Sequence, residues 1–241
     1  MEAGPTMGVL IVMIFVSVVV LMAVAIPLSI HAERSRKAAI RQWAGANGWA
    51  FAESGRAQWT ARLPGHNSRG LGVILSRQLG GRWVTVAEYS YRTTSSSSSS
   101  TTGTTTTTTT THHFVVALVL LDRMYPPIGV VPRGMLSQMG RALFGDKPTA
   151  TGNALFDSQY KIVTADPGCA KALLGPPLIG AHIARVVPPW TLAGAELLTY
   201  VRTSGALRDP TTIPGYVAPL LHVAELLGRR DIDLARAHEL R

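Results

Sequence analysis

The sequence predicts an α+β domain with a mainly antiparallel sheet, preceded by one N-terminal transmembrane helix. An uncharged, apolar run covers residues 7–30. After it come several short segments rich in β-branched and aromatic residues, each bounded by turn residues. These strand-like segments outnumber the helical ones, and short hairpin connections outnumber long crossovers. That balance favours antiparallel pairing and an α+β architecture.

The apolar run is long enough to cross a bilayer. It reads MGVLIVMIFVSVVVLMAVAIPLSI, and a helix of this length extends about 34 Å. The preceding tail, residues 1–6, contains Glu2 and no Lys or Arg, whereas a secretory signal peptide begins with a basic segment and has a shorter apolar core. We therefore predict a retained single-pass anchor, with Ala23-Val24-Ala25 as the one feature that resembles a cleavage site.

Residues 31–48 are predicted to form a basic juxtamembrane helix that continues the apolar one and is stopped by Asn47-Gly48. Its cations, opposed by the single Glu33, are Arg34, Arg36, Lys37 and Arg41. Cations beside a span attract anionic headgroups by about 1 kcal/mol each, and short flanks rich in Lys and Arg stay in the cytoplasm. The predicted partners are thus the lipid bilayer and its anionic headgroups. The predicted location is the cell membrane, with the C-terminal domain cytoplasmic.

The overall composition excludes several classes of protein. The net charge is +9, but it is dispersed, and no basic stretch interleaved with aromatic residues follows the anchor, so nucleic acid is not an expected partner. The lone Cys169 excludes an intramolecular disulfide framework and a cysteine-rich metal site. Arginine greatly outnumbers lysine, and alanine, glycine and valine are abundant, which is typical of a bacterium with a GC-rich genome.

Residues 49–230 are predicted to form the α+β domain, and residues 231–241 a polar C-terminal tail. The strand-like segments are residues 49–52, 71–77, 82–92, 114–121, 128–131 and 159–165, with a hairpin over 186–202. Residues 114–121 are continuously apolar, which indicates a central strand buried on both faces, and Pro126-Pro127 is predicted to break it. Helices are predicted over 135–143, after the Asp166-Pro167 start, after Pro176-Pro177, and around residues 217–227, closed by Gly228.

Residues 93–113, mostly Ser and Thr, are predicted to be a disordered loop insertion between two strands that pair. Polar side chains without apolar partners do not offset the entropy lost on ordering, and a long loop is tolerated at small cost. Expansion of a repetitive codon tract explains such an insertion; a glycosylated or phosphorylated segment is the alternative. His112 and His113 adjoin it but lack the further ligands that a metal site needs.

No catalytic motif is found in the sequence. Phosphate-loop, zinc-protease, serine-hydrolase and CxxC patterns are absent, and Gly70-Leu-Gly72 lacks the third glycine of a dinucleotide loop. Asp231 and Asp233 are the only close carboxylate pair, too few to bind a metal ion. We therefore predict a protein that is not an enzyme, with no cofactor and no catalytic or metal-binding residue.

Three single residues, Cys169, His182 and His222, are functional candidates. Cys169 follows the helix start at Asp166, where the helix dipole lowers a thiol pKa, so a reactive thiol is one reading; a small buried core residue is the favoured one. His182 and His222 lie on apolar helical stretches, and each is predicted to be a core histidine with its hydrogen bonds satisfied.

Several packing and turn residues resemble those of actinobacterial single-pass membrane-anchored proteins of unknown function. The resemblance covers most of the chain after the anchor. It is carried by Asn47-Gly48-Trp49-x-Phe51, Tyr89-x-Tyr91, Phe156-Asp157-x-x-Tyr160-x-Ile162, Asp166, Ala172-Leu173-Leu174-x-Pro176 and Trp190-x-Leu192-x-Gly194-x-x-Leu197-Leu198. It implies a membrane-anchored domain and transfers no catalytic site.

The sequence as a whole favours a non-catalytic domain at the membrane surface that binds a protein partner or organises other components. The first alternative is a membrane-tethered sensor or enzyme whose pocket is assembled from scattered residues. The second is a secreted domain with a modified Ser/Thr segment.

Overall fold

The structure is a computed structural model that describes residues 5–98, 105–133 and 148–239. The chain divides into two compact units, Met1–Trp43 and Ala44–Arg241. The predicted helix over residues 135–143 lies outside the described residues.

Helix α1, Pro5–Ala46, contains the apolar run and continues through the basic segment without a break. In the described part of the chain, it is the one helix long and apolar enough to cross a membrane. Among the described side chains between Met13 and Ile30, the large apolar ones are each 45–69% exposed. The apolar run and the basic segment thus belong to one continuous helix, which ends at Ala46.

A left-handed glycine ends α1, as the Asn47-Gly48 pair predicts. Gly48 has a φ of +69°, and the Trp49 N–H donates to the Ala44 carbonyl over 2.8 Å. This bond, from a residue just beyond the glycine back across the last turn, is the mark of a Schellman C-cap. The cap turns the chain directly into the first strand of the domain.

The second unit is built on a seven-stranded sheet in which every pair of neighbours is antiparallel. The predicted α+β class with a mainly antiparallel sheet is therefore confirmed. The strand order is β1-β2-β3-β4-β6-β5, and β7 also pairs with β4. The strands are β1 Ala50–Ala52, β2 Leu71–Leu79, β3 Arg82–Ser98, β4 Thr105–Pro132, β5 Pro148–Thr149, β6 Tyr160–Thr164 and β7 Trp190–Thr203.

Strand β4 is the centre of the sheet. Residues 105–119 of β4 pair with β3 on one edge, and residues 113–120 pair with β7 on the other. Near the end of β4, residues 128–132 pair with β6, and residues 128–130 pair with β7 on the opposite edge. Residues 114–119 are buried, which confirms the central position predicted from their continuous apolar character. The predicted break at Pro126-Pro127 is wrong, because β4 passes through these prolines, and its register with β7 shifts nearby instead.

Each face of the sheet is covered by different elements. On one face, Trp59 and Leu63, from two short 3-10 helices at Gln58–Arg62 and Pro64–His66, pack with Tyr89, Phe114 and Leu198. The opposite face packs against helix α5, Ile213–Glu239. Its buried side chains recur at helical spacing: Val217, Leu220, Val223, Ala224 and Leu227.

Three short helices lie between β5 and β7: α2 Ala154–Gln159, α3 Pro167–Leu173 and α4 Pro176–Ile183. The predicted start at Asp166-Pro167 is confirmed, since Asp166 Oδ1 accepts from the Cys169 N–H over 3.0 Å and proline occupies the first turn. The predicted hairpin over 186–202 is wrong. Residues 190–203 form one strand, and Gly194, with a φ of +59°, lies at an irregularity in its register.

Helix α5 passes through Gly228 and continues to Glu239, so the predicted stop at Gly228 and most of the predicted tail are replaced by helix. A single glycine inside a helix costs only about 1 kcal/mol relative to alanine.

The Ser/Thr segment differs most from its prediction. Residues 93–98 and 105–113 are not a disordered loop but paired strands, in a register that runs unbroken to Ser98 opposite Thr105. Threonine is β-branched and favours extended backbone, and the buried part of the β3–β4 pair sets the register that the polar part continues. The remaining residues of the segment, 99–104, lie outside the described part.

Candidate functional site

The basic segment of α1 carries the site residues predicted from sequence. Three of them, Arg34, Lys37 and Arg41, lie within about 60° of one another around the helix axis, because successive residues rotate by about 100°. They form a basic stripe on one side of α1.

Arg36 lies on a different side of α1 from this stripe and forms an ion pair with Glu33. Its guanidinium donates two hydrogen bonds to Glu33, of 2.9 and 2.7 Å. Lys37 Nζ is also 3.9 Å from the same carboxylate. A bidentate ion pair of this kind neutralises Arg36 and reduces its attraction for an anionic lipid.

The positions along α1 rank the stripe residues. Beyond Ile30, Arg34 lies about 6 Å further along the axis, Lys37 about 10 Å and Arg41 about 16 Å. The headgroup layer of a bilayer is about 6–7 Å thick on each side. Measured from Ile30, Arg34 lies within one such thickness, Lys37 a few ångströms beyond it and Arg41 well beyond it, a ranking that the sequence prediction of four equivalent cations did not contain.

A buried polar cluster connects α4 to β7 in the domain. The His182 side chain is fully buried, and its Nε2 is 3.0 Å from Trp190 Nε1. Because the indole N–H can only donate, Nε2 accepts, and the neutral ring carries its proton on Nδ1. Within the described residues, Nδ1 has no hydrogen-bond partner. His182 is a core histidine as predicted, but only half of its hydrogen-bonding capacity is satisfied.

Aromatic rings surround His182. Its ring centre lies 5.7 Å from that of Phe156, in an edge-to-face arrangement, and 4.9 Å from that of Tyr160. Tyr160 also donates its hydroxyl to the His182 carbonyl over 3.2 Å. Burial in this surrounding lowers the pKa of His182 to about 4. The cluster therefore holds α4 against β7 through contacts that need a neutral imidazole.

A second buried charge joins the 3-10 segment to β7. Arg62 is 5% exposed, and its Nη2 lies 2.7 Å from Glu196 Oε2. Its Nη1 donates to the Glu196 backbone carbonyl over 2.9 Å. Burial lowers the pKa of Arg62, and the Glu196 carboxylate opposes that shift. This pair was not predictable from sequence, because 134 residues separate its members.

Glu196→Ala is expected to destabilise the domain more than Arg62→Met. Removing the carboxylate leaves a buried guanidinium without its counter-charge, at a cost of about 2 kcal/mol, reduced from the cost of a fully buried pair because Glu196 is partly exposed. Methionine removes the charge and keeps much of the apolar volume. Urea unfolding of both variants measures the difference. Equal destabilisation by the two would contradict a dominant role for the unpaired charge.

The other single-residue candidates do not form a site. Cys169 is half-buried, so it is neither the fully exposed thiol nor the fully buried core residue that were its two predicted alternatives. The prediction that His222 is a core histidine is wrong, because its side chain is 46% exposed and its Nδ1 lies 3.8 Å from Glu225 Oε2. His112 contacts Thr93 and Arg202 instead of a metal-binding group. No set of three His, Cys, Asp or Glu side chains suited to a metal ion occurs among the described residues.

Three surface depressions of 380, 320 and 300 Å³ occur in the described part of the domain. The first lies beside residues 203–209, the second beside residues 56–61, and the third beside the Leu79–Arg82 turn. Neither Arg62 nor His182 lines any of them. The buried ionisable groups thus connect structural elements and do not face these depressions.

Comparison with known proteins gives information about the fold alone. No protein-family model and no curated protein match the chain. Among solved structures, the crystal structure of the mycobacterial trehalose monomycolate transport factor A, TtfA, is similar, with a TM-score of 0.52. This chain resembles TtfA in fold. The match covers 80% of this chain and 95% of TtfA, at 8% sequence identity.

Proposed function

We propose that this protein is a single-pass membrane protein whose α+β domain binds another protein at the membrane surface and does not catalyse a reaction. One observation carries the proposal: the apolar side chains of α1 between Met13 and Ile30 are exposed to solvent. A stretch of this length and apolarity is costly to hydrate, and a bilayer satisfies both its surface and its length.

The fold comparison supports a role without catalysis. The similar structure, TtfA, is described as a transport factor. By analogy of fold, we propose that this domain assists a membrane process by binding a component of it. The resemblance to actinobacterial membrane-anchored proteins forms part of the same proposal.

A sensor or enzyme with a pocket assembled from scattered residues is the competing function. The observation that would favour it is a cavity lined by several converging ionisable groups, with hydrogen bonds that orient them. In the described residues, the two buried ionisable groups discussed above, Arg62 and His182, are instead bonded to a neighbouring strand.

We propose that the domain faces the cytoplasm. The basic stripe on α1 supports this orientation, because Lys and Arg in a short flank of a span are retained on the cytoplasmic side. Arg34 and Lys37 are expected to contribute most, through contacts with anionic headgroups.

A C-terminal fusion to a reporter that functions only in the cytoplasm is expected to be active. A matched fusion to a reporter that functions only outside the membrane is expected to be inactive. Arg34→Gln with Lys37→Gln is expected to weaken the preference, giving a mixed population, whereas the control pair Arg56→Gln and Arg69→Gln, in the domain, is expected to leave it unchanged. A stably expressed fusion that is active only outside would overturn the cytoplasmic placement and favour the secreted alternative.

A further inference from the structure

The β3–β4 hairpin extends beyond the rest of the sheet as a two-stranded ribbon, residues 91–98 and 105–112, which we call the Ser/Thr ribbon. The partner strands on either side stop before it: β2 pairs with β3 as far as Tyr89, and β7 pairs with β4 as far as His113. Within the ribbon, the observed strand pairing is between β3 and β4 alone. Both outer edges of the ribbon therefore present unpaired backbone groups.

The ribbon lacks the devices by which proteins protect such edges. Its described residues contain no proline, no lysine and no bulge in their register, and Arg92, near its base, is its one arginine. The side chains of residues 92–97 and 105–111 are exposed. A long, regular and uncharged edge is a template for another strand. A two-stranded hairpin in water is also only marginally stable on its own.

We propose that the Ser/Thr ribbon is a self-association surface, on which the β4 edge of one copy, Thr105–Thr111, pairs antiparallel with the β4 edge of a second copy. This inference rests on the membrane anchoring proposed above, because the anchor confines the copies to one surface. It goes beyond the proposed function by naming a second copy of this chain as a partner.

The composition of the edge favours a second copy over a foreign strand. Residues 104–111 are threonine at every position, so a two-fold arrangement places identical side chains opposite one another in any register. No like charges meet when two such edges approach. The pairing is short, so it is expected to be weak in dilute solution and to form where anchoring raises the local concentration.

Cysteine crosslinking in membranes tests the proposal on the full chain. In a Cys169→Ser background, the single variants Thr106→Cys, Thr108→Cys and Thr110→Cys are each expected to form disulfide-linked dimers under mild oxidation. Because residues 105–111 are all threonine, registers that place each of these positions opposite its own twin are equivalent, so the three yields are expected to be similar. The matched control, Ala52→Cys, places the thiol on the exposed edge strand β1 and is expected to yield few dimers.

A lysine pair tests whether strand pairing is the cause. Thr107→Lys with Thr109→Lys, added to Thr108→Cys, is expected to lower the dimer yield about fivefold, because charged side chains block edge-to-edge pairing. Equal yields from Ala52→Cys and the ribbon cysteines, or no ribbon dimers at all, would overturn the proposal. If the lysine variant does not accumulate, the comparison with Ala52→Cys still decides.

The same samples separate this inference from the proposed function. Sedimentation of the membranes after an alkaline wash shows whether the chain is anchored. Dimers without sedimentation would support the ribbon and contradict the anchor. Sedimentation without dimers would support the anchor and contradict the ribbon.

Discussion

Trp190→Ala is expected to lower the free energy of unfolding of the domain by about 4 kcal/mol. Trp190 is 1% exposed on β7, so its removal leaves a cavity between the sheet and the helices that cover it. It also removes the indole N–H that donates a hydrogen bond to His182 Nε2, and so leaves this buried nitrogen without a partner. Urea unfolding followed by circular dichroism measures the change.

Two matched variants separate these contributions. Trp190→Phe keeps an aromatic ring but lacks the N–H, so it is expected to cost about 2 kcal/mol, part of it from the unpaired His182. Trp83→Ala removes the same type of side chain from a position that is 53% exposed, and is expected to change stability by less than about 1 kcal/mol. A similar loss from Trp83→Ala and Trp190→Ala would contradict the proposed packing of β7.

The domain is expected to lose up to about 3 kcal/mol of stability as the pH falls from about 6.5 to about 4, because of His182. Burial lowers the pKa of His182 in the folded state to about 4. In the unfolded chain the imidazole takes up a proton near its ordinary pKa of 6.5. Between these values the unfolded state binds more protons, so acidification favours unfolding. The contribution is fully present above pH 6.5.

His182→Gln is expected to flatten the stability profile between pH 6.5 and 4.5. The matched control is His222→Gln, which makes the same substitution at an exposed histidine. Burial tends to raise the pKa of the Asp157 carboxyl, but hydrogen bonds from Thr151 and Gly152 help to lower it, and the net shift is downward. Protonation of Asp157 is therefore expected to change stability only below about pH 4, outside the range in which His182 is tested. A profile that keeps its slope in His182→Gln would assign the dependence to other groups.

The local elements were predictable because their signals are local. The apolar run predicts α1, Asn47-Gly48 predicts its end, and Asp166-Pro167 predicts the start of α3. Continuous apolar residues predict a central strand, and β4 is one. Each signal depends on residues within one or two turns of each other, and the physics that reads them is the same in any protein.

The errors have a common cause in long-range pairing. The sequence predicts a break at Pro126-Pro127 and a hairpin around Gly194, but β4 and β7 lie side by side, and each accommodates an irregularity at about the same level. The Ser/Thr segment has little reason to order by itself. It becomes strand because Val84 to Tyr89 already pair with Phe114 to Val119 and set its register.

The candidate site divides in the same way. Arg34, Arg36, Lys37 and Arg41 were identifiable from sequence, but the Glu33 pairing that sets Arg36 apart depends on side-chain geometry on the helix. The Arg62–Glu196 and His182–Trp190 contacts link elements that a sequence places separately. Apolar neighbours predicted the burial of His182 correctly but that of His222 wrongly, and the hydrogen bond between His182 and Trp190 was not predictable.

The sequence by itself determined a long apolar helix, a basic flank and an α+β domain rich in antiparallel strands, because hydrophobic length, charge position and residue periodicity are properties of contiguous residues. Only the tertiary structure decided which strands are neighbours, which charges are buried, and that a Ser/Thr tract lies in a ribbon with two open edges. These depend on contacts between residues far apart in the chain, whose free energy exists only once the sheet has formed.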